Sequence, residues 1–184
     1  MKSRKRVLVC AGTGCLSCGC RAVRDALMGE VIDLGVASEI EIVETGCFGA
    51  CDLGPVVIVG QEQVLYPRLT PEGAKEVARR HLAKDEPVDD LLYRDNRTGE
   101  TLRTLPEIPF FVRQTKVVRR NCGEIDPLSL NDYLSRDGYR GLEKALKEMT
   151  PAEVIQMINS SGLRGRGGGG FATGVKWDLA ASSS

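Results

Sequence analysis

Seven cysteines in a chain of 184 residues, against a single histidine, are the side chains with most chemistry to offer. They stand at positions 10, 15, 18, 20, 47, 51 and 122. Six of the seven fall in two glycine-rich stretches, VLVCAGTGCLSCGC (7–20) and TGCFGACDLGP (45–55). An odd number of thiols argues against a disulfide scaffold, and in a reducing cytoplasm clustered thiols point to a metal or redox site. The N-terminal KSRKR followed by VLVCAG has too short an apolar run for a secretory signal. Cys10-x4-Cys15 and Cys47-x3-Cys51 offer four thiolates, which suit a tetrahedral zinc or a [2Fe–2S] cluster with two sulfurs on each iron. The spacing leaves other readings open. Cys15-x2-Cys18 fits one half of a structural zinc site. The same pair fits a thioredoxin-like redox dithiol, which leaves Cys47 and Cys51 without a role. Unreactive buried thiols are a fourth reading, but glycine-rich loops do not make a core.

A third glycine-rich stretch is GLRGRGGGGFATGVKW (162–177), where six of the first nine residues are glycine. Gly165-x-Gly167-x-x-Gly170 fits the dinucleotide-binding fingerprint, but a helix rather than a strand precedes it, and the acidic residue about 20 positions on is missing. A Walker A loop fails because Val175 separates Gly174 from Lys176. General physics leaves an anion-binding nest of backbone N–H groups, or a bed on which a flat ring could lie. Arg164, Arg166 and Lys176 would supply charge for phosphate. The bland reading is a disordered Gly/Ser tail closing on AASSS.

The elements that must position these residues follow from periodicity. RVLVC (6–10) is a short buried strand, and Val23, Ala26, Leu27, Val31 and Leu34 then recur at helical spacing, with Gly35 at the C-terminal cap position. EIEIVE (39–44) alternates like a half-buried strand, and VVIVG with VLYPRL forms a hairpin around QEQ. Thr70-Pro71 starts a second helix. The first two strands, joined through a helix, should pair in parallel, so both cysteine loops leave the sheet at one end. This is an α/β fold of the thioredoxin-like kind. Beyond it, charge, proline and turn residues predict a linker over 94–109, with one helical turn before it at VDDLLY. FFVRQTKVVRR reads as a strand, LSLNDYLSRDGYRGLEKALKEM as two helices split at DGYRG, and Thr150-Pro151-Ala152-Glu153 as a capped helix start. His81 is expected on the solvent face of the helix after Thr70, and Cys122 as a lone structural thiol.

Composition excludes several functions. Lys and Arg number 25 and so do Asp and Glu, which argues against a general nucleic-acid binder. No apolar run approaches the ~20 residues of a membrane helix. No Ser/His/Asp or Cys/His arrangement supports hydrolysis, and no residue is assigned a catalytic role.

Two stretches carry a family resemblance. VLVC-AGTGC with ETGCFGACDLGPVVIV resembles the thioredoxin-like [2Fe–2S] ferredoxin domain of complex I 24-kDa-type subunits. That domain is also fused to the N-terminus of the flavoprotein subunit of NAD-linked and electron-bifurcating [FeFe] hydrogenases. The resemblance implies Cys10, Cys15, Cys47 and Cys51 as cluster ligands and leaves Cys18 and Cys20 outside the pattern. SGLRGRGGGGFATGVKW, with RNCGEIDP and MTPAEVIQMINSSGLR before it, resembles the start of the flavin domain in the complex I 51-kDa-type subunit family. It implies that Gly165, Arg166, Gly167, Gly168, Gly170, Phe171, Gly174 and Lys176 belong to an FMN and NAD(H) pocket, with Phe171 near the nicotinamide and Lys176 near the flavin phosphate. Ala172 departs from the usual proline.

The implied organisation is a ferredoxin domain (1–93), the linker (94–109) and an incomplete FMN/NADH-binding domain (110–184). The implied function is electron transfer between NAD(H), FMN and iron–sulfur clusters, beside other redox subunits of a cytoplasmic hydrogenase or dehydrogenase complex. Because the family's flavin fold continues well past Trp177, the chain alone is expected to bind FMN poorly and oxidise little NADH. The competing expectation is a zinc-stabilised interaction module with a disordered tail.

Overall fold

A computed structural model describes residues 4–183. The chain divides into two compact units, with the boundary between Tyr133 and Leu134.

The first unit is built on a four-stranded sheet of order β2-β1-β3-β4. Strand β1 (Lys5–Cys10) pairs in parallel with β2 (Ile40–Thr45), and Cys10 lies opposite Thr45 at the shared C-terminal end. Short helix α1 (Thr13–Ser17) and helix α2 (Cys20–Asp33) make the crossover. Cys20, Val23, Leu27 and Val31 form the buried stripe of α2, at the three- and four-residue spacing that puts side chains on one helical face. The helix ends in a Schellman motif. Gly35 takes φ +71°, its N–H donates to the Ile32 carbonyl, and the Val36 N–H donates to that of Val31. Strands β3 (Val57–Val59) and β4 (Val64–Tyr66) form the antiparallel hairpin, and β3 also pairs with β1. With neighbours on both sides, β1 and β3 carry fully buried Val7, Val9, Val57 and Val59.

Helix α3 (Pro71–Val77) begins where Thr70 Oγ1 accepts the Gly73 N–H at 3.1 Å, and runs on into a π turn over Ala78–Leu82. His81 corrects an expectation. It is 5% exposed, because the buried stripe Ala74, Val77, Ala78 continues through His81 to Leu82.

The stretch 94–109, expected as a linker, is folded. Strands β5 (Tyr93–Arg94) and β6 (Thr101–Leu102) pair, and the following segment lies along the free edge of β4, where the Leu65 N–H donates to the Arg103 carbonyl. Leu105 and Ile108 are buried against the core. The strand expected from Phe110 onward is absent: helix α4 (Pro109–Val112) stands there, and Val117 and Val118 are exposed. Proline at the first helical position suits a helix start, and residues 103–105 already occupy the sheet edge such a strand would need.

Helix α5 (Leu130–Ser135) spans the boundary between the units, and α6 (Arg140–Glu148), α7 (Pro151–Ser160) and α8 (Thr173–Ala181) come after it. Thr150 and Glu153 form the capping box expected at the start of α7. Helices α7 and α8 approach closely where Gly174 faces Asn159: a Cβ at 174 would fall 2.3 Å from Asn159 Oδ1. Among the described residues no helix is long and apolar enough to cross a membrane.

Candidate metal centre

Parallel pairing delivers both cysteine loops to one end of the sheet. Cys10 is the last residue of β1, Thr45 the last of β2, and the Ala11 N–H donates to the Thr45 carbonyl at 2.9 Å. From there the loops interlock, Cys47 and Cys51 lying against Gly12 and Gly14, and Cys15 against Gly54. A Cβ at Gly12 would sit 2.8 Å from Cys47 Cβ and 3.1 Å from its sulfur. A Cβ at Gly14 would sit 3.0 Å from Cys51 Sγ, and one at Gly54 3.1 Å from Cys15 Sγ. These glycines leave space: a side chain at Gly12 would force Cys47 to move, and one at Gly14 or Gly54 would press on the facing sulfur. These contacts bring Cys15, Cys47 and Cys51 together across the two loops, with Cys10 beside Cys15, and four thiolates are the donor set that a [2Fe–2S] cluster takes, two on each iron.

The two pairs differ in exposure. Cys10 and Cys15 are buried, Cys47 is half-buried and Cys51 exposed. Burial, and then the neighbouring Cys10 thiol, push the Cys15 thiol well above the usual range. Without metal it therefore keeps its proton, and an incoming cation must displace it. The Gly49 N–H donates to Cys47 Sγ at 3.3 Å, the kind of bond to ligand sulfur that tunes a centre's potential. Among the described residues no three Cys, His, Asp or Glu side chains converge as a site for a metal ion. What is brought together is the two loops.

The other cysteines separate by place. Cys18 is exposed, and Cys20 is fully buried on α2, its thiol raised by burial first and then by Glu44. Cys122 is not isolated from the loops: its sulfur would lie 3.0 Å from a Cβ on Gly46, next to Cys47. Spacing could not reveal this, because 70 residues lie between Cys51 and Cys122. A cavity of about 700 Å³, walled by Lys5, Arg6, His81 and Glu124 among others, has none of the seven cysteines in its lining.

In the second unit the glycine-rich loop is closed at its base. The Gly165 N–H donates to the Phe171 carbonyl at 2.8 Å, and the Thr173 N–H to that of Leu163 at 2.9 Å. Between them, a Cβ at Gly167, Gly168, Gly169 or Gly170 would meet nothing within 4 Å. Arg166 folds back onto the Arg164 carbonyl at 3.1 Å, Phe171 and Lys176 are exposed, and Gly174 is buried. Helix α8 begins directly after this open strip of backbone.

Residues 1–81 match the thioredoxin-like [2Fe–2S] ferredoxin family. The chain is 56% identical over 68 residues to the NADP-reducing hydrogenase subunit HndC of Solidesulfovibrio fructosivorans, covering 37% of this chain and 14% of that protein. It is 47% identical over 53 residues to a subunit of the NADH-quinone oxidoreductase of Escherichia coli (strain K12), covering 29% of this chain and 12% of that protein. Each match therefore covers about a seventh or less of the curated relative's length. Among solved structures, the thioredoxin-like [2Fe–2S] ferredoxin from Aquifex aeolicus is 34% identical over 48% of this chain and 95% of its own, with a TM-score of 0.45. Residues 1–81 are accordingly a thioredoxin-like [2Fe–2S] ferredoxin domain, whose β1–α2–β2 unit sets both cysteine loops at one end of the sheet.

Proposed function

We propose that this chain is an electron-transfer module, with one [2Fe–2S] cluster held by Cys10, Cys15, Cys47 and Cys51. The observation that carries the reading is the interlocking of the two loops, glycine against cysteine, inside the matched region. When bound, such a cluster supplies one-electron transfer. The chain's own residues do the rest. Cys10 and Cys15, both buried, would hold the group from the core side, and Cys47 and Cys51, half-buried and exposed, would hold it from the side nearer solvent and a redox partner. The Gly49 N–H withdraws charge from the Cys47 sulfur.

The C-terminal part is read as the beginning of an FMN/NADH-binding domain (110–184), after the ferredoxin domain (1–93) and a connecting segment (94–109). Gly165, Gly167, Gly168 and Gly170 would present flat backbone to a ring. Arg166 and Lys176 would meet phosphate, Phe171 the nicotinamide, and Gly174 would hold α8 close to α7. The open backbone strip between the loop's closing hydrogen bonds supports this. Partners are proposed to be the other redox subunits of a hydrogenase or NADH dehydrogenase complex, as the names of the relatives suggest.

The test is metal and sulfide analysis of anaerobically purified protein, with EPR after reduction. Equal iron and sulfide, and loss or change of the reduced-cluster signal in each of Cys10→Ser, Cys15→Ser, Cys47→Ser and Cys51→Ser, are expected. Stoichiometric zinc without sulfide would favour a zinc-stabilised interaction module, and an unchanged signal in all four variants would refute the ligand assignment.

A further inference from the structure

Residues 119–126, outside the matched ferredoxin region, are folded onto the second cysteine loop. Thr45, 1% exposed at the end of β2, fastens them. Its Oγ1 accepts the Gly123 N–H at 3.0 Å and donates to the Ile125 carbonyl at 3.2 Å. Gly123 has φ +81°, and a Cβ there would fall 2.1 Å from the ring of Phe48, so the strap lies flat on the residue after Cys47. Cys122 rests on Gly46, the residue before Cys47. Arg119 completes the cover. Its Nη1 would stand 2.6 Å from a Cβ on Gly49, the residue whose N–H donates to Cys47 Sγ. Among the described residues no carboxylate pairs with Arg119, although other arginines of this unit, Arg6, Arg24, Arg79 and Arg103 among them, do have one.

An unpaired guanidinium held against the ligand loop of an iron–sulfur site has a definite consequence. Reduction adds one negative charge to the cluster, and a fixed positive charge nearby stabilises the reduced form more than the oxidised one. We infer that Arg119 is a positioning residue of the cluster site, whose charge, brought over the Cys47 loop by the Thr45-anchored strap, raises the cluster's reduction potential. Segment 119–126 is then part of the redox centre rather than a plain connector. The inference rests on the [2Fe–2S] reading.

The experiment is an EPR-monitored redox titration of the full chain at low and high salt, on wild type, Arg119→Gln, Arg119→Lys and Thr45→Val. Arg119→Gln should move the midpoint to a more negative potential, and Arg119→Lys, which keeps the charge, should restore most of the shift. The difference between wild type and Arg119→Gln should shrink at high salt, because Arg119 is exposed and its field is screened. Thr45→Val keeps shape but loses both hydrogen bonds to the strap. It should shift the potential in the same direction, and the double variant Thr45→Val/Arg119→Gln should shift little further than Arg119→Gln alone. A cluster whose potential is the same in wild type and Arg119→Gln overturns the inference while leaving the [2Fe–2S] reading intact. Equal shifts in Arg119→Gln and Arg119→Lys also overturn it, since packing rather than charge would then be responsible. Wild-type protein with no iron and sulfide refutes the [2Fe–2S] reading itself, and the inference with it.

Discussion

His81 shows how much one side chain can carry away from the cluster. Tyr66 Oη accepts the Val88 N–H at 3.1 Å and lies 2.9 Å from His81 Nδ1, all of it buried. Tyr66 Oη and His81 Nδ1 thus share one buried hydrogen bond, and the imidazole they hold is neutral at pH 7. Burial first, and then the charge of Lys5, lower the His81 pKa to about 4. The unfolded chain, with an ordinary histidine near 6.5, therefore binds more protons between these values. Stability is full above about pH 6.5 and falls as pH drops towards 4, by roughly 3 kcal/mol in all. Urea midpoints at pH 7, 5.5 and 4 should follow that decline in wild type, and His81→Gln should flatten it. An equally steep decline in the variant would assign the acid sensitivity to carboxylates instead. The spacing of Ala74, Val77 and Ala78 already pointed to His81 as the next position on the buried stripe, so its place was legible in the sequence. The general habit of histidine to sit at surfaces hid it. The meeting of the two cysteine loops was legible for the opposite reason: each pair is local, and one parallel crossover brings both loops to the same end of the sheet. Arg119 and Cys122 reach the same loop only through the tertiary hydrogen bonds of Thr45, and no local pattern reports those.

The elements divide in the same way. Strands β1 to β4 and helices α2, α3, α6 and α7 follow from periodicity and caps written within each segment. The region after Ile108 does not, because a strand needs an edge to join, and the free edge of β4 is taken by residues 103–105. Glycines test the loop packing directly. Gly12→Ala would place a methyl 2.8 Å from Cys47 Cβ, with Cys47 Cα at 3.2 Å, so backbone must move. Overpacking of this kind costs about 1–3 kcal/mol. Far-UV circular dichroism should stay native while iron bound per chain falls by half or more. Gly29→Ala is the control, because nothing lies within 4 Å of its Cβ on the exposed face of α2. Replacing a mid-helix glycine should add roughly 0.5–1 kcal/mol and leave iron content unchanged. Gly174→Ala makes the same test in the second unit. Its methyl would meet both Asn159 Oδ1 at 2.3 Å and the Asn159 backbone nitrogen at 2.6 Å, so α7 and α8 must separate. The expected reading is a smaller helical circular dichroism signal, with amide exchange in β1 unchanged.

At the scale of the whole chain, the two units differ in what holds them. In the first, β1, β3, β4, α2 and α3 close over a continuous apolar core. In the second, Gly174 is the single buried residue among those described, while Leu142, Leu146, Met157, Val175, Trp177 and Leu179 stand exposed. Helices of nine or ten residues are marginal in water unless an apolar face is buried. Cooperative stability must therefore reside in the first unit, together with whatever the cluster adds by binding the folded state alone. Removing residues 134–184 should accordingly leave the thermal midpoint within a few degrees of the full chain. Stripping the metal with a chelator should lower that midpoint in both forms alike. Hydrogen exchange on the full chain makes the comparison residue by residue: amides of β1 and β3 should report the global unfolding free energy, and those of α6, α7 and α8 should exchange with little protection. If α7 proves as protected as β1, the second unit has a source of stability that its burial does not contain.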